Sequence, residues 1–491
     1  MPSEDLQRRV GARSFARLLG DWRPPDGRRL AAALTDRVRL LVLDGRLPLQ
    51  TRVPAERELA AALDVSRTTV ATAYEALREV GVLHSRRGAG SWTQAPGGGA
   101  PAAFSPFSPQ DGAELHDLAY AALPAPPQLR AATAEAARDL DARLGGHGYD
   151  LAGVPVLRAA IAARFTARGL PTTADQIIVT SGGMGAISLA LTALASPGDR
   201  VLVEHPTYPN ALDAVRTRGA RPVPVPLARD TVGPDAWDLD LFTAAIRDTA
   251  PRAVYTIPEH HNPSGARLDG EGRARLVEIA RRTGTPLIVD ETLSELTLDG
   301  PDIAPVAAHG APDSPLLVTV GSASKIFWGG LRVGWIRTSA SLARRIAAMR
   351  ASVDLGGPVL DQLVVARLLA DVDAIGTGRR AELAAARDRL LALVGAAFPQ
   401  WRPSRPRGGL SLWIDLGAPV SSRLVGLARR HDVLLVAGPR FGLDGAFERH
   451  LRLPYTLRSD QAEPALTRLA AAWEALDLGV SVPDPDPIAV A

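Results

Sequence analysis

The sequence predicts a multidomain protein, with a small, mainly α-helical domain at the N-terminus and a large α/β domain after it. The large domain is predicted to end in a small α+β subdomain, from the patterns at residues 399–416 and 433–457. The chain has 491 residues, more than one ordinary hydrophobic core organises. Helical periodicity dominates residues 28–93, whereas short β-branched runs alternate with helical patterns from about residue 115 onward. Residues 94–114 between them are rich in proline, glycine, alanine and serine, the composition of a linker.

Composition excludes several classes of protein. Hydrophobic residues make up 46% of the chain and charged residues 22%, as in folded soluble proteins. No stretch reaches the roughly 20 apolar residues of a membrane span, and the N-terminus lacks the apolar core of a signal peptide. Cysteine is absent and the nine histidines form no ligand-spaced cluster, so we expect no disulfide and no metal site. We therefore expect a cytoplasmic protein without a membrane partner.

Residues 28–93 have the pattern of a winged helix-turn-helix. Apolar residues at helical spacing, a proline at a helix start and a serine N-cap predict three helices. Two short β-branched runs around a basic turn predict a hairpin after them. The helices are expected over Leu30–Leu43, from Pro54 to Val65 and over Arg67–Val80, and the hairpin strands over Val82–Ser85 and Ser91–Thr93.

The third of these helices is the element that would enter a DNA major groove. Its N-terminal end combines hydroxyls, backbone N–H groups and a guanidinium, which bind phosphates and base edges. The pattern by itself leaves an alternative open, in which the helical hairpin binds another protein and the arginines are merely solvated.

The motifs of this region resemble the DNA-binding domain of the GntR family of bacterial regulators. They are G-R-L at Gly45, V-P-x-E-R-E-L-A at Val53, V-S-R-T-T-V at Val65, Y-x-x-L at Tyr74 and G-x-G at Gly88. This resemblance implies binding to double-stranded operator DNA. The residues that it places at the DNA are Arg57, Ser66, Arg67, Thr68, Thr69, Arg87 and Gly88.

The chain contains a single lysine, Lys325, against 55 arginines. A coding bias towards arginine explains why arginine is so abundant, but it does not explain why one lysine is present. A guanidinium group serves in ion pairs and phosphate contacts, but it does not form a Schiff base because it stays protonated. The function that requires an amine is covalent bonding to a carbonyl group.

Polar residues follow several predicted strands of the α/β domain in turn. Gly182, Tyr208, Asn262, Asp290 and Lys325 each come just after or at the end of a β-branched run. The carboxyl ends of parallel strands face one crevice, so these residues are expected to lie close together. A phosphorylated pyridine aldehyde needs such a set: an amine, a carboxylate for the ring nitrogen, an aromatic stack and donors for the phosphate. Each residue taken singly has an ordinary structural role as its alternative.

This order of motifs resembles the fold-type-I aminotransferases over residues 115–478, which bind pyridoxal 5′-phosphate (PLP). The resemblance includes a Y-x-x-x-G-x-x-x-L-R segment from Tyr149 to Arg158. It implies that Lys325 is the Schiff-base lysine, that Asp290 bonds the ring nitrogen and that Tyr149 reaches the phosphate of a neighbouring subunit in a homodimer. Arg452 would bind the carboxylate of an effector. The remaining cofactor contacts are Asn262 at the 3′-oxygen, Tyr208 on the ring, and Gly183, Met184, Ser322, Ser324 and Arg332 at the phosphate.

One residue departs from the aminotransferase pattern. Aligned on Ser294–Glu295, the family has a tyrosine that bonds the 3′-oxygen where this chain has Thr292. Threonine is shorter and would either not reach that oxygen or reach it only through a water molecule. We therefore expect PLP binding to persist and transamination to be less efficient.

The two halves together resemble the MocR-type subfamily of GntR regulators. This predicts a transcriptional regulator that senses PLP or a small amino compound reacting with it, acting as a homodimer, with or without a domain swap between its subunits. Two alternatives are an active aminotransferase that carries a DNA-binding domain and a regulator whose large domain only dimerises. The predicted segments are 1–27 (N-terminal), 28–93 (DNA-binding), 94–114 (linker), 115–478 (PLP-binding) and 479–491 (C-terminal tail).

Overall fold

A computed structural model describes most of both predicted domains. Among the described residues, no helix is both long and apolar enough to cross a lipid bilayer. Arg87 and Gly88 at the predicted wing tip, nearly all of the linker and the C-terminal tail lie outside the described residues. Those described are 9–24, 29–43, 46–48, 51–86, 90–94, 115–228 and 232–476.

The N-terminal domain contains the predicted three helices and hairpin. The Ser66 hydroxyl caps the third predicted helix by accepting the Thr69 N–H at 3.0 Å. The buried Tyr74 hydroxyl on the same helix donates to the Pro54 carbonyl at 3.0 Å and so joins it to the start of the preceding one. The elements are α1 (Ala12–Leu19), α2 (Leu30–Leu43), α3 (Glu56–Leu63), α4 (Arg67–Glu79), β1 (Leu83–Arg86) and β2 (Gly90–Thr93).

Helix α1 is an element that the sequence analysis did not predict. Its Phe15 and Leu19 are fully buried and belong to the same hydrophobic cluster as Val38 and Leu77. The two residues are four apart, so they lie on one face of the helix and both point into this core. Helix α1 therefore belongs to the DNA-binding domain, although the family pattern begins only at α2.

The large domain has a seven-stranded sheet in the order β4-β10-β9-β8-β7-β5-β6. Strand β10 is antiparallel to its neighbours, and the other adjacent pairs are parallel, as the alternation of helices and strands predicted. The strands are β4 (Ile177–Ser181), β5 (Arg200–His205), β6 (Arg221–Pro226), β7 (Ala253–Thr256), β8 (Leu287–Asp290), β9 (Leu317–Ser322) and β10 (Val333–Arg337). The helices are α5 (Leu129–Leu140), α6 (Pro155–Ala167), α7 (Gly182–Leu194), α8 (Pro209–Thr217), α9 (Leu239–Thr249), α10 (Gly270–Thr283), α11 (Ala323–Ile326), α12 (Ala340–Met349), α13 (Val359–Ala370) and α14 (Val372–Ala397).

Strand β6, which the sequence analysis also missed, has proline at every second position. Prolines 222, 224 and 226 alternate with residues whose N–H groups point towards β5. Arg221 and Leu227 flank the prolines and continue this alternation. Their N–H groups donate to the carbonyls of Asp199 and His205 on the β5 side. Proline lacks an N–H group, so it is tolerated only where no ladder bond is needed, at the edge of the sheet.

A smaller α+β subdomain follows, as predicted for the C-terminal part of the large domain. Its four-stranded sheet has the order β11-β12-β15-β14. The short β3 (His116–Asp117), at the start of the large domain, pairs with β13 of this subdomain, so the chain crosses back over it. The remaining elements are β11 (Arg402–Pro403), β12 (Ser411–Asp415), β13 (Val433–Leu434), β14 (Val436–Ala437), β15 (His450–Pro454), α15 (Ser421–Arg430) and α16 (Ser459–Glu474).

Replacing Phe15 with alanine tests whether α1 stabilises the DNA-binding domain. Removing this buried ring leaves a cavity, so we expect a loss of about 3–5 kcal/mol in the free energy of unfolding of this domain. Hydrogen exchange of the α2 and α4 amides in the full chain measures the effect. Arg13→Ala, on the exposed face of α1, is the matched control and should change exchange little. Equal protection in both variants would contradict the assignment.

Candidate cofactor site and DNA-binding surface

The polar residues singled out in the large domain come together at the carboxyl ends of the parallel strands. Tyr208 follows β5, Asn262 follows β7, Asp290 ends β8 and Lys325 follows β9. Because these strands are parallel neighbours, the chain leaves each of them at the same edge of the sheet. The predicted crevice is thus a direct result of the topology.

Asp290 is 4% exposed and held by neighbouring hydrogen-bond donors. The Tyr255 hydroxyl donates to Oδ2 at 2.7 Å, and the Thr292 N–H donates to Oδ1 at 3.0 Å. Burial raises the pKa of this carboxyl, while Thr292, Tyr255 and the charge of Lys325 act in the opposite direction. A carboxyl group in such surroundings shares a proton readily with a basic ring nitrogen.

Thr292, the residue for which we predicted a departure from the aminotransferase pattern, lies beside Asp290. Its backbone N–H donates to Asp290 Oδ1, and its side chain acts to lower the pKa of that carboxyl. The side chain therefore supports the group that faces the ring nitrogen.

Lys325 lies in a positively charged part of the crevice. Its Nζ donates to the Ala121 carbonyl at 2.8 Å. Burial lowers the pKa of this amine to about 8, and the nearby charges of Arg452 and Arg332 add to the effect against the attraction of Asp290. A larger fraction of the amine is consequently neutral near physiological pH, which is the nucleophilic form.

A cradle for a phosphate lies where β4 turns into α7. Gly182 has a φ of +73°, and a Cβ at this position would collide with the Arg332 guanidinium. Arg332 itself donates to the Ser181 carbonyl at 3.2 Å. Gly183 and Met184 follow in the first turn of the helix, whose free N–H groups and positive dipole end favour an anion.

Buried polar atoms without a partner test whether PLP fits this crevice. Among the described residues, Ser324 Oγ and Asn262 Oδ1 are buried and accept or donate no hydrogen bond within the chain. Leaving a buried polar group unsatisfied costs about 1–3 kcal/mol, so both atoms are suited to a bound group. The hydroxyl of Ser322, by contrast, already accepts the Ser324 N–H at 3.1 Å.

The residues present fit PLP, which supplies an electron sink for chemistry at an amino group. Lys325 would bond its aldehyde carbon and Asp290 its ring nitrogen. Asn262 would bond the 3′-oxygen, and Tyr208 would cover the ring. The phosphate would be held by Gly183, Met184, Ser322, Ser324 and Arg332.

Arg452, on β15, is a buried cation without an anionic partner. It is 7% exposed, and among the described residues no carboxylate forms an ion pair with it. Its Nη2 donates to the Ala119 carbonyl, and its guanidinium lies 5.1 Å from the centre of the Phe441 ring. Burial lowers the pKa of Arg452 to about 10. The cost of burying this charge is offset when an anion binds beside it.

Tyr149 is a predicted cofactor residue that lies on the surface. It is 64% exposed, and its ring stacks on His147 with 5.7 Å between centroids. Its predicted contact with the phosphate of a neighbouring subunit stays a prediction.

The predicted DNA-contacting residues that the structure describes lie together at the start of α4 and on α3. Arg67 has a side chain that is 68% exposed and lies 3.4 Å from Glu56. Thr68 and Arg57 are also exposed. Ser66 and Thr69 bond each other at 2.8 Å between hydroxyl oxygens, so they fix the helix start that presents Arg67.

Four contributors to the site were not predicted from the sequence. Tyr255 lies within the apolar run of β7, so its sequence context resembles that of a core residue. The carbonyls of Ala119 and Ala121 carry no side-chain signal at all. Phe441 is far in the sequence from the strands whose carboxyl ends form the crevice, and only the tertiary fold brings its ring to Arg452.

Comparison with known protein families divides the chain in the same way. Residues 30–92 match the family described as bacterial regulatory proteins, gntR family. Residues 120–469 match the family described as aminotransferase class I and II.

Similar proteins include both enzymes and regulators. "2-aminoadipate transaminase" of Thermus thermophilus is 29% identical over 64% of this chain and 79% of its own length. "Probable rhizopine catabolism regulatory protein MocR" of Rhizobium meliloti is 30% identical over 63% of this chain and 65% of its own length. The HTH-type transcriptional regulator YisV of Bacillus subtilis, described as uncharacterized, is 24% identical over 90% of this chain and 95% of its own length. The crystal structure of LysN, an α-aminoadipate aminotransferase from Thermus thermophilus complexed with N-(5′-phosphopyridoxyl)-L-leucine, has a TM-score of 0.67 and 26% identity, covering 74% of this chain and 94% of that chain.

The pKa of Lys325 predicts how PLP capture depends on pH. The neutral amine attacks the aldehyde, so capture by the PLP-free protein should rise about tenfold per pH unit and level off above about pH 8. Stopped-flow absorbance measures the rate, and the same reaction with Nα-acetyl-lysine corrects for the titration of PLP itself. A rate that still rises towards the ordinary lysine pKa of 10.5 would refute the effect of burial.

Each half of the molecule matches a known family. The N-terminal domain is a gntR-type DNA-binding domain, and the C-terminal domain has the fold of the PLP-dependent aminotransferases. The chain belongs to the aminotransferase class I and II family and, through its gntR-type DNA-binding domain, has the arrangement of the MocR-type subfamily of GntR transcriptional regulators.

Proposed function

We propose that this transcriptional regulator senses PLP, or an amino compound that reacts with PLP held at Lys325, and changes its binding to operator DNA in response. The observation that carries the proposal is the buried guanidinium of Arg452, which forms an ion pair with no carboxylate in the described part of the chain. It faces the same crevice as Lys325, because the two side chains donate to backbone carbonyls only two residues apart.

The contacts of Arg452 and Lys325 suggest how an effector would be recognised. The two cations donate to carbonyls of one short stretch, Ala119 and Ala121. An amino compound with a carboxylate would offer Arg452 a charged acceptor in place of the neutral Ala119 carbonyl, and ionic hydrogen bonds are the stronger ones. The stretch from Ala119 to Ala121 would then be released from Arg452. The protein with the effector and the protein without it would therefore differ in these contacts.

The DNA-binding domain and the exposed Tyr149 favour a homodimer as the working form. A winged helix-turn-helix typically binds as a pair on two half-sites, and Tyr149 is free to reach a second subunit. The linker is long enough for the two DNA-binding domains to be exchanged between subunits. We propose that the protein acts in the cytoplasm and associates with the nucleoid when it is bound to DNA.

A second candidate function is transamination. Lys325, Asp290 and Arg452 form the complete set for binding an amino acid on PLP, and relatives such as the Thermus enzyme are named as transaminases. Thr292, in place of a tyrosine that would bond the 3′-oxygen of PLP, favours sensing over rapid turnover. Steady conversion of an amino donor and a keto acid by the purified protein would establish the enzyme instead.

Arg67→Ala tests the DNA-binding surface. If Arg67 reads a base, its loss should weaken binding to the DNA upstream of the protein's own gene by about 1–3 kcal/mol, about 5- to 150-fold. Arg78→Ala is the matched control, because it removes the same charge from the same helix about 16 Å further along the axis. Fluorescence anisotropy at fixed salt measures both affinities, and equal losses would refute base reading by Arg67.

Lys325→Ala tests sensing. This variant should lack the visible absorbance of lysine-bound PLP, and its affinity for the same DNA should be identical with and without PLP. In the unaltered protein we expect the affinity to change by at least about fivefold, since coupling energies are typically 1–3 kcal/mol. A variant that keeps the colour would refute the assignment of the lysine, and a variant that keeps the DNA response would refute covalent sensing.

A further inference from the structure

We propose that residues 438–448, named here the connecting loop, couple the cofactor site to the DNA-binding domain through an ion pair between Glu448 and Arg37. The inference rests on the proposed sensing function and identifies how the signal leaves the site. Glu448 and Arg37 are inferred to be positioning residues, and neither belongs to the set that contacts PLP or DNA.

The ion pair joins the DNA-binding domain to the small subdomain. Arg37 is on α2, and its guanidinium bonds Glu448 with side chains that are only 11% and 17% exposed. The Nε of Arg37 also donates to the Leu19 carbonyl at the end of α1, at 2.7 Å. One guanidinium therefore ties α1, α2 and the connecting loop together.

Glu448 is also held in place by hydrogen bonds within the small subdomain. The Ser422 hydroxyl donates to it at 2.7 Å and the Ser422 N–H at 3.0 Å, both from the first turn of α15. Helix α2 packs along α15, with the Leu40 side chain next to Gly426. A shielded, charge-assisted contact of this kind fixes orientation far better than an exposed surface pair.

The other end of the connecting loop lies against the cofactor site. The Phe441 ring is the one that the Arg452 guanidinium covers, at 5.1 Å. The Phe441 carbonyl accepts the Thr207 N–H at 2.9 Å, next to the ring-stacking Tyr208. The Leu443 N–H donates to His205 Nε2 at 3.0 Å, in the same turn. The loop thus touches both the anion-binding arginine and the residues that cover the cofactor ring.

Close packing makes the connecting loop suited to moving as a unit. A Cβ at Gly438 would collide with the carbonyls of Phe447 and His450, and a Cβ at Gly442 would lie 2.6 Å from the Phe447 ring. The Phe447 ring in turn packs on His205 at 4.7 Å. Because the loop has no room to deform locally, a shift of Arg452 or of the Tyr208 turn is passed on to Glu448.

The docked DNA-binding domain keeps its reading surface open. Docking uses α2 and the end of α1, whereas Arg67 and Thr68 at the start of α4 are exposed. The contact therefore does not cover the DNA-binding residues. It sets the direction in which they point, which in a dimer determines the spacing of the two reading helices.

Distance measurements between spin labels test this coupling directly. The chain has no cysteine, so Glu75→Cys on α4 and Ala244→Cys on α9 give one label on each domain. The full-length protein is measured PLP-free, with PLP, and with N-(5′-phosphopyridoxyl)-L-leucine, which adds a carboxylate within reach of Arg452. We expect the conjugate to shift the distance distribution relative to PLP alone, and Glu448→Gln to reduce that shift to less than half.

Matched variants separate coupling from general destabilisation. Asp139→Asn removes a partner of Arg367 in an ion pair between α5 and α13, and it should leave the shift intact. The exchanged pair Arg37→Glu with Glu448→Arg should restore much of the shift that either single variant loses. An unchanged shift in Glu448→Gln, or no shift in the unaltered protein despite binding, would overturn the coupling alone. Failure of both PLP and the conjugate to bind would overturn the proposed function itself, and the coupling with it.

Discussion

The large domain depends on one electrostatic constraint. An amine, two guanidinium groups and one carboxylate lie together in a single crevice. Burial is the largest cause that lowers the pKa of Lys325, the positive charges of Arg452 and Arg332 lower it further, and Asp290 raises it. The balance leaves the amine with a pKa of about 8, reactive without an external base. The same excess of positive charge needs anions, and the two sources that fit are a phosphate beside Arg332 and a carboxylate beside Arg452. The cofactor and its effector would thus complete the charge balance of the fold.

Much of this site was predictable because parallel strands impose an order. Tyr208, Asn262, Asp290 and Lys325 occur in chain order after successive β-branched runs, and a parallel sheet brings such positions to one edge. The uniqueness of Lys325 in an arginine-rich chain added a chemical argument that needs no structure. The winged helix-turn-helix was equally accessible, because its caps and apolar faces are local features of the sequence.

Other features could not be predicted because they arise from tertiary contacts. The hydroxyl of Tyr255 reaches Asp290 only because β7 lies beside β8 in the sheet. The carbonyls of Ala119 and Ala121 accept hydrogen bonds from Arg452 and Lys325 only because the chain after β3 passes over the crevice. Helix α1 has just two turns, and its role depends on a pocket formed by other helices. Arg37 and Glu448 are more than 400 positions apart, so no local pattern connects them.

Strand β6 affects how readily the protein aggregates at the high protein concentration inside a cell. Open sheet edges can recruit strands from other molecules, because unpaired N–H groups act as a template for aggregation. At prolines 222, 224 and 226 those outward N–H groups do not exist, so an incoming strand would find acceptors but no donors along this stretch. The backbone of this one edge strand thus gives the protein a protection against amyloid-like growth.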